Sequence, residues 1–446
     1  MAKLKRPPLA NILNIIKKHP NNMADMFETM MLQGKPIVRV PSLTPMYLIN
    51  DPDCAKRIIQ QPEDVYIKGG KYFDRLAIPF GQGLVTSEGK LWQQQRELIQ
   101  PFFHAKYLEQ YAKIGIKLTN QLMDTVWNDH ANKQTVFNIS DEMMRLVLKI
   151  SAGSLFNTDF GEDTKKIIHC VEFGQKFILG YYLAPPTIPS IPRWQYRRLD
   201  RYFKKVLADI VETRRVSTNK PDDILTALVT TLDPETQQPL PLELIFAQIV
   251  TLLVTGHETT GALLSWLWYE LGLQPHISEK IREEINHELQ GEPPSLKNIS
   301  KLKYLRMVID EALRLYPTIW TIHRYSMKED NLAGYKIPKN SIVVVNPYNF
   351  QHDPTIWQEP LKFDPERFNK TVICPRHKMA YFPFGGGHRI CIGKNFALQQ
   401  IMLILTTIFQ RFDVHSLQKE KPQQLPLVSL KQLHGINATI THTKRL

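Results

Sequence analysis

Apolar residues recur at three- and four-residue steps from Trp92 to about Leu315, the spacing of helices that each turn one face to a core. Leu244 to Leu273 would form one long apolar helix there, were it not interrupted by Thr255-Gly-His-Glu-Thr-Thr-Gly261 at its middle. Ahead of this region, Pro36 to Val40 and Met46 to Ile49 read as a hairpin, and Pro52 opens a helix through Ile59. Behind it, Ser341 to Asn346 reads as a strand ended by Pro347, and Lys394 to Phe409 as a last apolar helix before a β-like tail. The pattern predicts a mainly α fold with a smaller β region.

Length and composition narrow the picture. The chain has 446 residues, 43% of them hydrophobic, enough for a large core. No Gly/Ser linker, charge block or fixed-period repeat divides it, so residues 35–446 are expected to form one domain behind an N-terminal segment, 1–34. That segment holds a short amphipathic stretch, Leu9 to Lys18, with no apolar run long enough to span a bilayer. Asn11 to Ile16 is too short and interrupted for a signal peptide, and Lys17-Lys18 stands where a small-residue cleavage site would be. The expectation is a soluble, cytoplasmic, prokaryotic-type protein without a membrane anchor. Four scattered cysteines, Cys54, Cys170, Cys374 and Cys391, suit a reducing compartment.

Lysine and arginine outnumber the acids by 56 to 43, for a formal charge of +13. Nucleic acid, an anionic membrane or an acidic protein could each answer such an excess. No zinc-finger, RNP or helix-turn-helix pattern accompanies it, which disfavours nucleic acid.

Two segments carry chemistry. Buried polar groups cost stability unless hydrogen-bonded, so the polar insert in the long helix needs a reason. Its glycines weaken a helix and its threonines bond backbone carbonyls, which would let the stretch open into a groove or bulge beside a ligand. His257-Glu258 begins the zinc-protease H-E-x-x-H, but Gly261 stands where the second histidine belongs. A transmembrane helix fits the length, yet His257 and Glu258 would be costly in lipid. The second segment, Phe384-Gly-Gly-Gly-His-Arg-Ile-Cys391-Ile-Gly393, presents one cysteine just before a helix. A thiolate there feels the positive end of the dipole, which lowers its pKa and suits it to a metal. Taken singly, such a cysteine is a small buried hydrophobe and the glycines a turn. A phosphate loop fits poorly, because no Gly-Lys-Ser/Thr follows.

Phe-x-x-Gly-x-Arg-x-Cys-x-Gly resembles the haem-ligand signature of the cytochrome P450 family, and every position is filled. The resemblance runs from about residue 35 to the C-terminus and implies the family's triangular, mostly helical fold. It implies that Cys391 is the proximal ligand of haem b, that Gly387 and Gly393 admit the porphyrin, and that Phe384 shields the sulfur. Thr-Gly-His-Glu-Thr-Thr is similar to the family's acid–alcohol motif, so Thr259 would hydrogen-bond dioxygen and Glu258 relay protons. Thr255 replaces the usual Ala or Gly, a change that could alter pocket width or add a hydrogen bond near the substrate. Trp92-x-x-x-Arg96, with Arg324 and Arg389, would hold the haem propionates. Glu311-Ala-Leu-Arg314 with Arg367 resembles the family's buried Glu-Arg-Arg triad. Ile319, Phe73, Leu76 and Val85 are pocket candidates; Trp320 is one as well, against core packing or a surface aromatic.

The helical stretches Lys165 to Ile178 and Gln195 to Arg215, with the joining loop Gly180 to Arg193, resemble the family's lid, where Phe177, Tyr181, Tyr182 and Leu183 would face substrate. Lys90, Arg376, Lys378, Arg389 and Lys394 would make a basic face for an acidic ferredoxin or flavodoxin. The chain ends about 55 residues past Cys391, too few for a fused reductase, so electrons would come from that carrier and its NAD(P)H reductase. The implied protein is a monomeric monooxygenase that inserts one oxygen atom of dioxygen into a C–H bond of an apolar substrate. Phe363-Asp-Pro-Glu-Arg-Phe and Arg314-Leu-Tyr-Pro317 resemble the branch containing fatty-acid hydroxylases; terpenoids, steroids and xenobiotics stay open. A haem-thiolate peroxygenase or isomerase, and a haem gas sensor or hydrophobic-ligand carrier, are the competing functions.

Overall fold

The computed structural model describes residues 23–31, 34–40, 42, 44–60, 64–180, 191–369 and 378–443. The amphipathic stretch 9–18 and the lid loop 181–190, with Tyr181, Tyr182 and Leu183, lie outside them, as do Cys374 and Arg376.

Helix Leu242–Leu273 runs unbroken for 32 residues and is buried along most of its length. It is apolar nearly all round because helices and strands cover it on every side, notably Ile139–Phe156, Lys303–Leu315 and the edge of Leu430–Gln432. The polar insert does not open it. A Cβ on Gly261 would lie 2.5 Å from the Met144 sulfur and 3.3 Å from the Met144 Cα, so this glycine lets helix Ile139–Phe156 approach closely. The hydroxyls of Thr255 and Thr259 donate to the carbonyls of Thr251 and Thr255, at 2.7 and 2.8 Å, satisfying themselves within the helix. Thr255 therefore spends its extra hydroxyl on its own backbone.

The predicted hairpin pairs Ile37–Val40 with Met46–Ile49. It belongs to a five-stranded sheet in the order Ile37–Val40, Met46–Ile49, Ile342–Val345, Ile322–Ser326, Tyr66–Ile67. The second and third strands are parallel, which joins the two ends of the chain. Ile342–Val345 is buried on both faces, as its unbroken Ile-Val-Val-Val requires. Pro347 ends this strand and starts helix Pro347–His352, where its fixed φ suits the first turn. Helix Met23–Met31, within the stretch 1–34, seats Ala24, Phe27 and Met30 on the sheet. Trp320 belongs to that core: its ring lies 5.8 Å from Phe27 and its indole N–H donates to Leu427 O at 3.0 Å.

Glu311 and Arg314 face each other with no solvent exposure. Arg314 donates to both carboxylate oxygens at 2.7 and 2.8 Å, and Arg367 Nε stands 3.3 Å from Glu311 Oε1. The remaining Arg314 donors reach the carbonyls of Gln351, Pro360 and Lys362, so the triad pins the segment leading to the cysteine loop. Among the described residues one segment, Gly387–Phe409, is apolar and long enough to cross a membrane, and 72% of its most apolar 18-residue window is buried inside the protein.

Candidate functional site

The Cys391 amide donates to Phe384 O at 3.0 Å, closing the loop, and helix Lys394–Phe409 follows at once. Gly387 has φ +64°, and a Cβ there would come within 2.5 Å of Ile59 O. Its lack of a side chain thus seats the loop on helix Pro52–Gln60. At Gly393 a Cβ would meet only Phe103, at 3.8 Å, so no protein neighbour demands a glycine.

Cys391 differs from the two other described cysteines. Cys54 and Cys170 are buried, with thiols pushed by burial to about 12 and about 11, while Cys391 is solvent-accessible. Protein nevertheless surrounds it closely enough that burial raises its thiol too, against the Gly393 amide and the charges of Arg96, Lys68 and Lys394. The sequence expectation of a lowered pKa is corrected here, since desolvation outweighs the helix end. Ligation would have to displace a proton, as metals do from thiols. Among the described residues no three His, Cys, Asp or Glu side chains converge on a metal position.

Positive charge gathers beside this sulfur. Arg96, on helix Gly89–Ile99, donates to Ile390 O at 3.2 Å. The buried Arg389 side chain pairs with Glu88 at 2.6 Å and lies 3.8 Å over the Trp92 ring. Arg324 comes from strand Ile322–Ser326 and is 6% exposed. Lys68, which sequence reasoning missed, sits among them; its Nζ donates to Val85 O at 3.1 Å. Burial first, then the charges of Arg324 and Arg389, pull Lys68 down to about 7 despite Glu88 and Cys391. So dense a cationic group fits a ligand carrying two carboxylates, and haem is such a ligand. Only the adjacent glycines mark Lys68 in the sequence, and no short spacing ties it to Trp92.

The acid–alcohol pair divides. Thr259 is half-buried, with its hydroxyl turned to the Thr255 carbonyl. Glu258 is 3% exposed and lies in a polar cluster that three distant segments build, the central helix, helix Thr164–Gly180 and residues 429–431. Its Oε2 accepts from Ser429 Oγ at 3.1 Å and faces Lys431 Nζ at 3.5 Å; Lys431 also reaches Glu172 at 3.5 Å. His257 Nδ1 donates to Leu253 O at 3.2 Å, so Nε2 is left 3.7 Å from Glu258 Oε1. Burial would raise the Glu258 carboxyl, but Lys431, His257, Gln175 and Ser429 together hold it below the ordinary value. Burial also keeps His257 below its ordinary value. Ser429, Lys431 and Gln175 carried no sequence signal.

The basic docking face is reduced. Arg389 points inward, Lys90 pairs with Glu235, and Lys394 is exposed with its ammonium 5.8 Å from the Phe384 ring. The side chain of Lys378 lies outside the described residues.

A sulfur beside gathered cations at the start of a buried helix, under a mostly helical fold, is an arrangement compatible with a haem-binding protein. The family model for cytochrome P450 matches residues 4–436, and the chain belongs to that family. It is 30% identical over 371 residues to cyclooctat-9-en-7-ol 5-monooxygenase of Streptomyces melanosporofaciens, covering 82% of this chain and 79% of that one. It is 29% identical to cyclooctatin synthase of the same organism, over 86% and 84% of the two chains, and 26% identical to pentalenene oxygenase of Streptomyces avermitilis, over 83% and 82%. The protein is a haem-dependent monooxygenase that takes an organic substrate, dioxygen and electrons from a redox partner.

Proposed function

We propose that haem b is held through Cys391, that its propionates lie on Trp92, Arg96, Arg324, Arg389 and Lys68, and that Thr259 and Glu258 handle the protons of dioxygen cleavage. The observation that carries this is the gathering of four cationic side chains around one accessible cysteine. When bound, the haem supplies an iron centre whose thiolate ligand favours O–O cleavage. The Gly393 amide faces the sulfur, the Phe384 carbonyl takes the Cys391 amide, and Gly387 fixes the loop from behind. The Thr259 hydroxyl has only to rotate from the Thr255 carbonyl to donate toward oxygen, and Glu258, ionised and buried, can pass protons inward.

The substrate is a neutral molecule with a cyclic hydrocarbon skeleton. Its support is twofold: the names of the relatives, and an apolar cleft over the central helix with no lysine or arginine in its wall to receive a fatty-acid carboxylate. Electrons come from a ferredoxin or flavodoxin, a reading that the exposed Lys394 supports. The scattered cysteines suit the cytoplasm. An intact Glu258-Thr259 pair favours an oxygenase over a peroxygenase, an isomerase or a ligand carrier.

The test is haem retention. Replacing Arg96 and Arg324 together by alanine is expected to leave the fold intact by circular dichroism and to weaken haem binding at least tenfold. Unchanged haem affinity would remove the proposed seat.

A further inference from the structure

Helix Ile191–Val216 has two unlike faces. On the inner one Phe203, Leu207 and Val211 are buried in the core, Leu199 packs against it, and the Tyr196 ring stacks on Phe177 with centres 4.4 Å apart. On the outer one Trp194, Arg197, Arg198, Arg201 and Lys205 are exposed. Counted from Trp194, the four cations follow at three, four, seven and eleven residues, which sets all five side chains on one stripe of the helix. At 1.5 Å per residue the stripe is about 17 Å long.

These charges are not spent within the protein. Among the described residues Arg197, Arg198, Arg201 and Lys205 have no ion pair, and Arg201 Nε donates to Arg197 O of the same helix at 3.4 Å. The one acid between them, Asp200, is taken by Lys204 at 2.8 Å. The stripe ends where Asp209 and Glu212 face outward. Of the seven tryptophans six are at most 8% exposed, whereas Trp194 is 61% exposed. An exposed apolar residue standing alone needs no explanation, but this one heads a row of unpaired cations on a chain of formal charge +13.

We propose that this stripe seats the protein on an anionic lipid bilayer, with Arg197, Arg198, Arg201 and Lys205 on lipid phosphates and the Trp194 ring at headgroup depth. The arginine fork matches two phosphate oxygens at once. An indole, apolar in body with one N–H, suits the layer where hydrocarbon gives way to water. Charge alone would also fit an acidic protein; the exposed indole beside it favours the bilayer. Because the apolar face of the helix is packed against protein, the contact is shallow and mainly electrostatic, so salt must weaken it. None of these residues belongs to the haem seat, and the inference stands apart from that assignment.

Sedimentation of the full-length, haem-loaded protein with lipid vesicles tests it. At about 50 mM salt, vesicles of phosphatidylcholine with about 30% phosphatidylglycerol should bind at least tenfold more tightly than phosphatidylcholine alone, and at about 500 mM that preference should collapse. Replacing Arg197, Arg198 and Arg201 together by glutamine should leave circular dichroism unchanged and weaken binding at least tenfold. Trp194→Ala should weaken it several-fold. Acrylamide quenching of tryptophan fluorescence, which in this chain reads Trp194 first, should fall when the anionic vesicles are added, a change absent from Trp194→Phe. Equal binding to the two kinds of vesicle overturns the proposal. So does a triple variant that binds as the parent does, which would move the contact elsewhere on the chain, or an indole as open to acrylamide on vesicles as off them. Binding to polyglutamate without binding to vesicles would assign the stripe to an acidic protein and overturn the bilayer.

Discussion

Two glutamates, Glu311 and Glu258, are almost equally buried and held in opposite ways. Every Glu311 oxygen is saturated: Arg314 donates to both, and the Asp364 amide adds a third bond at 2.9 Å. Glu258 has one bond of normal length, to Ser429, with a lysine at 3.5 Å and a histidine at 3.7 Å, and its Oε1 has no hydrogen bond. Burial pushes both carboxyls up. At Glu311 that effect prevails over Arg314, the Asp364 amide and Arg367, whereas at Glu258 Lys431 and its neighbours prevail. A scaffold carboxylate is fixed by short, directional bonds, while one that must handle protons is held ionised by charge and left room to move.

The contrast can be broken by substitution. Glu311→Ala strands the buried Arg314 and should cost about 3–5 kcal/mol, read by chemical denaturation, with little haem-loaded protein recovered; normal haem incorporation would refute the triad's role. Glu258→Gln should cost under about 2 kcal/mol in the same assay while slowing product formation roughly 100-fold or more. If it unfolds the protein as Glu311→Ala does, the two residues are not different in kind. Thr259→Ala should spare stability and haem, and lower product formed per electron consumed several-fold.

Two smaller effects depend on pH. Glu258 has its carboxyl lowered, so the stability its charge contributes is present above the ordinary carboxylate value and is lost as pH falls through the lower folded value. Lys431→Met removes the largest lowering influence, so the acid limb of the pH–rate profile should move to higher pH. An unmoved limb would detach Lys431 from Glu258. Lys68, pulled down to about 7, gives up its proton in the folded haem-free protein before the unfolded chain does. Above about pH 7 the unfolded chain thus binds more protons, and stability should rise with pH toward the ordinary lysine value. Haem carboxylates would keep Lys68 charged, so the melting temperature of loaded protein should lack that rise.

Where contacts are local, the sequence was legible. Helix Lys394–Phe409 and the hairpin follow from periodicities that need no partner, and the Cys391 loop from a spacing fixed by one turn. The unbroken central helix was not legible. Glycine and threonine read as breakers, and only the contact of Gly261 with Met144 shows that they serve packing. Arg389 was expected both to bind haem and to face a redox partner, and Glu88 and Trp92 turn it inward. Lys68, Gln175 and Lys431 gain meaning only from neighbours 17 to 323 residues away, brought near by tertiary packing and the parallel pairing of Met46–Ile49 with Ile342–Val345.

The most direct test is the absorption of the reduced protein under carbon monoxide, parent chain beside Cys391→Ala. The parent should show the strongly red-shifted Soret band of an anionic sulfur ligand, and the variant should lose it. A parent without that band, or a variant that keeps it, contradicts the assignment of Cys391.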